Sequence, residues 1–274
     1  MKGLTKKAKV NPNSGKTVWW VKIGKPSLTG AAATEGTDPT ARSSRATRIS
    51  GTLAEYVNLI EDSRLFGDTS IDGTKEAIMK GLASDAAEVL DDTILAKALG
   101  GTNVIWAGSA THRSNVIEAH TATVRDIRKA VRLLQLSSVP RFSDGYYVGL
   151  IHPDIQLDIQ SDSAWQDIVR YRDTVKYDID GEVGRIYGVR FASAPRIPIL
   201  LNSGSANTDI YRTLIFGPEF IGQSELGNLE LTMNEPGKTT ELGMYNAYGY
   251  RFVMSTERLN ESCGVRLESN ATVA

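Results

Sequence analysis

The sequence predicts an α+β fold. Two long amphipathic helical stretches and many separate strand-like runs carry that expectation, because the strands do not alternate regularly with helices as a doubly wound sheet requires. A third observation concerns residues 24–51, GKPSLTGAAATEGTDPTARSSRATRISG, which hold hardly any large apolar side chain and cannot form a core of their own. Loops of such length in compact chains are functional or linking. This segment therefore predicts contacts outside the subunit.

The elements follow in chain order. Thr17-Val18-Trp19-Trp20-Val21-Lys22-Ile23 is β-branched and aromatic, a strand by propensity, and the turn cluster Asn11-Pro12-Asn13-Ser14-Gly15 leads into it. A second apolar patch spans Leu53–Ile60. In TKEAIMKGLASDAAEVLDDTILAKALGG, Ile78, Leu82, Ala86, Val89 with Leu90, Ile94 and Ala98 recur three to four apart, which predicts one long helix over 74–99. Asp72 or Thr74 can cap its start, and Gly100-Gly101 can end it. TATVRDIRKAVRLLQLSS predicts a second helix with Val124, Ile127, Val131 and Leu134 on one face, Thr123 and Asp126 in a capping-box arrangement, and Pro140 closing it. Tyr146–Ile151 reads as a buried strand stopped by His152-Pro153. Asp154–Gln160 and Ala164–Tyr171 read as short helical pieces. Gly184–Phe191 alternates as one strand, and further strands are expected at Ile210–Phe216, Asn228–Met233, Tyr248–Ser255 and Gly264–Glu268.

Composition narrows the chemistry. The chain has 274 residues, of which 41% are hydrophobic and 23% charged, as in a folded protein rather than a disordered one. Its single cysteine, Cys263, excludes an internal disulfide framework and a thiolate metal cluster. No apolar run approaches the roughly 20 residues of a membrane helix, so a soluble protein from a reducing compartment is expected. Net charge is −1, yet residues 1–25 hold seven lysines and no acidic residue. Such a stretch suits nucleic acid or an acidic neighbouring surface, or else a solvated tail.

SGKT at Ser14–Thr17 matches the end of a phosphate-binding loop, but Val10 stands where the first glycine belongs, and a strand rather than a helix is expected to follow. His112 and His120 lie eight positions apart, without zinc spacing, and His152-Pro153-Asp154 lacks a nucleophile elbow. The adjacent pairs Asp91-Asp92 and Glu61-Asp62 point in different directions and read as solvated faces. No catalytic residue, cofactor or metal site is therefore expected.

The ordered set of motifs resembles a known family. Tyr146 to Pro195, with Ile151-His152-Pro153, Trp165 and the Gly181–Phe191 stretch, is similar to tailed-phage major capsid proteins of the coliphage N4 type, which share the Hong Kong 97-like capsid fold. Flanking SGKTVWW, Thr34-Glu35-Gly36, VLDDTIL and IYRTLIFGPEF match in the same order. The resemblance implies an N-terminal arm over 1–15, an extended E-loop over 16–52, and a peripheral domain over 53–119 with spine helix 74–99. It further implies an axial domain over 120–225 and return strands over 226–274. In that scheme Lys16, Trp19, Trp20, Lys22, Glu35, Arg42, Arg45 and Arg48 contact a neighbouring subunit, while Lys2, Lys6, Lys7 and Lys9 face DNA or a neighbour. The implied function is a virion shell of hexamers and pentamers around double-stranded DNA, assembled in the host cytoplasm with a portal and scaffold or decoration proteins, and without a membrane. Alternatives are an encapsulin-like compartment shell, a nucleotide hydrolase using Gly15-Lys16-Thr17, and a monomeric nucleic-acid binder relying on the lysine arm.

Overall fold

A computed structural model describes residues 2–10, 15–23, 35–36, 46–69, 73–166, 182–234 and 244–272. The chain divides into two compact units: residues 1–6, 84–221 and 260–274 form the first, and 7–83 with 222–259 form the second.

The first unit is built on a six-stranded sheet in the order β5-β12-β9-β6-β8-β7. These strands are β5 (Val104–Trp106), β6 (Tyr147–Ile151), β7 (Glu182–Ile186), β8 (Val189–Ser193), β9 (Tyr211–Phe216) and β12 (Gly264–Ser269). Every residue of β6 is buried, which is why YVGLI reads as a continuous apolar run rather than an alternating one. β6 runs parallel to β8 and antiparallel to β9. Phe191 packs flat over Gly149: a Cβ there would sit 2.5 Å from the ring's Cδ1 and Cε1. Gly149→Ala is therefore expected to cost about 1–3 kcal/mol through overpacking, read as a lowered midpoint in denaturant unfolding.

Helix α2 (Thr74–Leu99) has the bounds its periodicity predicts. Leu82, Ala86, Ile94 and Ala98 of the stripe are buried, joined by Leu95 and Leu99. Its C-terminus differs from expectation, since Gly101 does not take a left-handed φ. Instead the Leu99 carbonyl accepts from Arg266 Nη1, and the Thr102 amide donates to Glu261 Oε1. Long-range side chains thus do the work of a glycine cap. Of the two expected N-caps, Asp72 lies outside the described residues.

Helix α3 (Val124–Leu136) buries Val124, Ile127, Val131 and Leu134 as expected. Its capping box is replaced: Thr123 Oγ1 donates to Asp126 Oδ2 at 2.7 Å, and the first free amide, on Val124, donates to Asp162 Oδ2 at 3.0 Å. α4 (Pro153–Ser161) starts on Pro153 with His152 as its N-cap. The next helical piece is described only over 163–166.

The stretch Gly184–Phe191 requires a correction. It is a hairpin, β7 and β8, turning at Tyr187 (φ 48°) and Gly188 (φ 80°). Two consecutive positive φ values give the tight turn that suits the right-handed twist of paired strands. Arg185 and Arg190 face each other across it as cross-strand partners.

The second unit holds a four-stranded sheet in the order β1-β10-β11-β4 and a two-stranded hairpin, β2 with β3. The strands are β1 (Lys6–Lys9), β2 (Thr17–Ile23), β3 (Ala46–Thr52), β4 (Ala54–Ser63), β10 (Ile221–Asn234) and β11 (Tyr245–Arg258). A short helix, α1 (Arg64–Thr69), follows β4. β10 and β11 extend well beyond the expected 228–233 and 248–255. β4 pairs antiparallel with β11 from Tyr245↔Ser63 to Met254↔Ala54, and Tyr56 stacks on Phe252 at 5.2 Å. β1 falls within the stretch expected to be an arm.

Candidate self-association surface

The β2–β3 hairpin builds the surface from alternation alone. Its register pairs Trp19 with Ser50, Trp20 with Ile49, Val21 with Arg48 and Ile23 with Ala46. Cross-strand partners share a face, and successive residues alternate. One face therefore carries Val18, Trp20, Gly51 and Ile49, and the other Trp19, Val21, Ile23, Arg48 and Ser50.

The first face is the unit's own core. Val18 and Trp20 are buried with Leu53 and Leu259, and Ala8, Val10, Ile49, Leu226 and Val253 pack around them. Trp20 fits because two glycines make room. A Cβ at Gly51 would come within 2.8 Å of its Cζ3, and one at Gly222 within 2.8 Å of its Nε1. Trp20, expected at a subunit contact, is thus turned inward; period-two alternation places it opposite Trp19.

The second face is bare among the described residues. Trp19 is 58% exposed, Val21 54% and Ile23 70%. Three large apolar side chains in a row on one strand mark an interaction surface rather than scattered surface hydrophobes. Covering what remains exposed of each is worth about 1–2 kcal/mol before the costs of association. Arg48 sits among them on β3 and is exposed, as is Lys22 on the opposite face.

The remaining predicted site residues are dispersed. Lys16 and Glu35 are exposed, while Arg42 and Arg45 lie outside the described residues. Lys2 stands in a 3-10 turn, and Lys7 and Lys9 lie on β1, with Lys7 exposed. Lys6 Nζ is 2.7 Å from Glu219 Oε1, an exposed pair of small energetic weight.

The phosphate-loop reading fails on geometry. Gly15 turns the chain at φ 87°, the Lys16 carbonyl accepts from the Leu53 amide at 2.8 Å, and Thr17 begins a strand. No helix N-terminus follows Lys16 to face an anion. The histidines serve locally. His152 Nδ1 accepts from the Asp154 amide at 3.3 Å while its ring meets Tyr211 edge-on, and His112 stacks on Trp106. Burial, then the Asp154 hydrogen bond, push the Tyr211 hydroxyl up to about 12. Among the described residues no three His, Cys, Asp or Glu side chains gather to hold a metal. Three further arginines engage their own chain: Arg185 lies over the Tyr146 ring, Arg190 pairs with Asp144, and Arg196 with Glu88 and Asp92.

One buried feature escaped sequence reading. Parallel and antiparallel registers set Trp106, Glu268 and Arg212 side by side on β5, β12 and β9. Glu268 is 1% exposed. It accepts from Arg113 Nε at 2.9 Å and from Trp106 Nε1 at 3.0 Å, and Arg266 Nε stands 2.9 Å from it. Arg212 donates to the Pro198 carbonyl beside this group. The arginines and the carboxylate are separated by more than 150 positions in sequence for Arg113, so no local motif announces them.

No protein-family model matches the sequence, and no curated protein matches it. Solved structures do match over nearly the whole chain. The capsid of cyanophage Pam1 aligns at 16% identity with a TM-score of 0.72, covering 96% of this chain and 87% of that one. The capsid of Ralstonia phage GP4 aligns at 15% identity and 0.74, covering 98% and 87%. The head of Helicobacter pylori bacteriophage KHP40 aligns at 14% and 0.69, covering 97% and 87%. The chain has the Hong Kong 97-like α+β capsid fold.

Proposed function

We propose that this chain is a major capsid protein, a structural subunit that closes into the hexamers and pentamers of an icosahedral phage head around double-stranded DNA. The observation that carries the reading is the whole-chain match to phage capsid subunits, 96–98% of this chain against three of them. The Trp19–Ile23 face, bare among the described residues, supports it independently, since a subunit that works alone has no use for such a stripe. In this reading residues 1–15 act as the arm, the β2–β3 hairpin is the base of an E-loop over 16–52, and α2 is the spine of a peripheral domain. Residues 120–225 line the ring axes and 226–274 return to the periphery. The motif set favours the coliphage N4 type. Assembly takes place in the host cytoplasm with a portal and a scaffold or decoration protein, and the lysines at positions 2, 6, 7 and 9 meet DNA or a neighbour.

The matched structures are phage heads, which leaves the encapsulin-like reading less support. Negative-stain microscopy with light scattering on the purified chain tests the proposal. Closed particles, or rings of five and six, are expected. A monomer that stays monomeric at high concentration, with or without co-expressed scaffold, contradicts it. Particle content then separates a head that protects DNA from nuclease from a compartment holding an enzyme.

A further inference from the structure

The four-stranded sheet ends in two strands of opposite charge. At one edge β4, AEYVNLIEDS, carries Glu55, Glu61 and Asp62 and no basic residue, Glu55 being already paired with Arg251 of β11. At the other, β1, KKAK, is three-quarters lysine and has no acidic residue. Neither edge has a further strand among the described residues. β4 is long and open: Val57 is 66% exposed and Leu59 62%, and the Leu59 amide donates to the Asn58 side chain at 2.9 Å. That amide is a donor which a docking strand's carbonyl can take over.

An exposed edge of ten residues with apolar side chains is a template for another strand. Its charge decides which strand. A second β4 would set carboxylates against carboxylates, whereas a lysine-rich strand turns the same residues into favourable cross-strand pairs. We infer that β4 of one copy pairs edge to edge with β1 of the next, so that the sheet continues from subunit to subunit. The contact is head-to-tail, the kind that closes rings when the rotation allows. It rests on the assembly reading above and adds a specific seam to it, distinct from the Trp19–Ile23 face.

A charge exchange tests this seam. The basic-edge variant carries Glu61→Lys and Asp62→Lys; the acidic-edge variant carries Lys7→Glu and Lys9→Glu. Each is followed by light scattering and negative-stain microscopy alone and in a 1:1 mixture, with the unfolding midpoint as a check on the subunit. Alone, each is expected to raise the concentration needed for assembly about a hundredfold or more, because like charges then face each other at every seam. The mixture restores assembly, since each variant's β4 then meets an opposite β1. Because the two must alternate, the mixture forms six-membered rings and no five-membered ones. Should a variant unfold, the single reversals Glu61→Lys and Lys7→Glu carry the same comparison with a smaller shift. Variants that assemble alone as the wild type does, or a mixture that rescues nothing, overturn the seam while leaving the shell reading intact. A wild-type chain that never associates overturns both.

Discussion

Glu268→Ala is expected to destabilise the first unit by about 3–5 kcal/mol, because it leaves Arg113 and Arg266 facing a buried void without their counter-charge. In a thermal melt that corresponds to a fall in midpoint of about 10 °C. The same group sets an acid limit. Burial alone raises the Glu268 carboxyl, but the Arg113 hydrogen bond, the charges of Arg266 and Arg113 and the Trp106 hydrogen bond outweigh it, so the folded value lies below the usual 4.5. A carboxylate with a depressed folded pKa contributes stability that is fully present above its unfolded value and is lost as pH falls through the folded one. Unfolding midpoints should therefore hold near neutrality and drop below about pH 4.5, and the Glu268→Ala chain should show a shallower acid dependence. An equal drop in both proteins would contradict this role.

Trp19→Ser with Ile23→Ser is expected to abolish assembly while leaving the subunit's unfolding free energy within about 0.5 kcal/mol of wild type. Both side chains are exposed in the subunit, so the subunit loses little. An aromatic anchor at a protein interface is worth about 2 kcal/mol or more, and a closed ring loses it at every contact. Analytical ultracentrifugation of the variant beside wild type reads the effect. The neighbouring substitution Trp20→Ala should behave oppositely, costing about 3–5 kcal/mol of stability through the cavity it opens beneath Gly51 and Gly222.

These two tryptophans show what the sequence makes legible. TVWWVKI announces a strand, and period-two alternation alone separates an inward Trp20 from an outward Trp19, yet grouping both as contact residues overlooks it. α2 was readable to its ends because apolar residues recur three to four apart from Ile78 to Ala98, a spacing that no strand shares. The β7–β8 turn was hidden, since Tyr187 at positive φ is an uncommon choice for a turn position. β1 was hidden for a different reason: KKAK has no apolar pattern, and only its place at a sheet edge makes it a strand. β10 buries Gln223 and Ser224, polar residues that conceal the strand's first half. The Glu268 cluster depends on strand register between distant segments, which no spacing in the chain encodes.

In the proposed shell the Trp19–Ile23 face is covered by another copy. A cryo-electron microscopy reconstruction of the purified assembly tests it most directly. The expected map shows five- and six-membered rings in which each β2–β3 hairpin lies on its neighbour with Trp19, Val21 and Ile23 out of solvent. A shell whose hairpins stand free of neighbouring subunits, with that face still in water, would contradict the account.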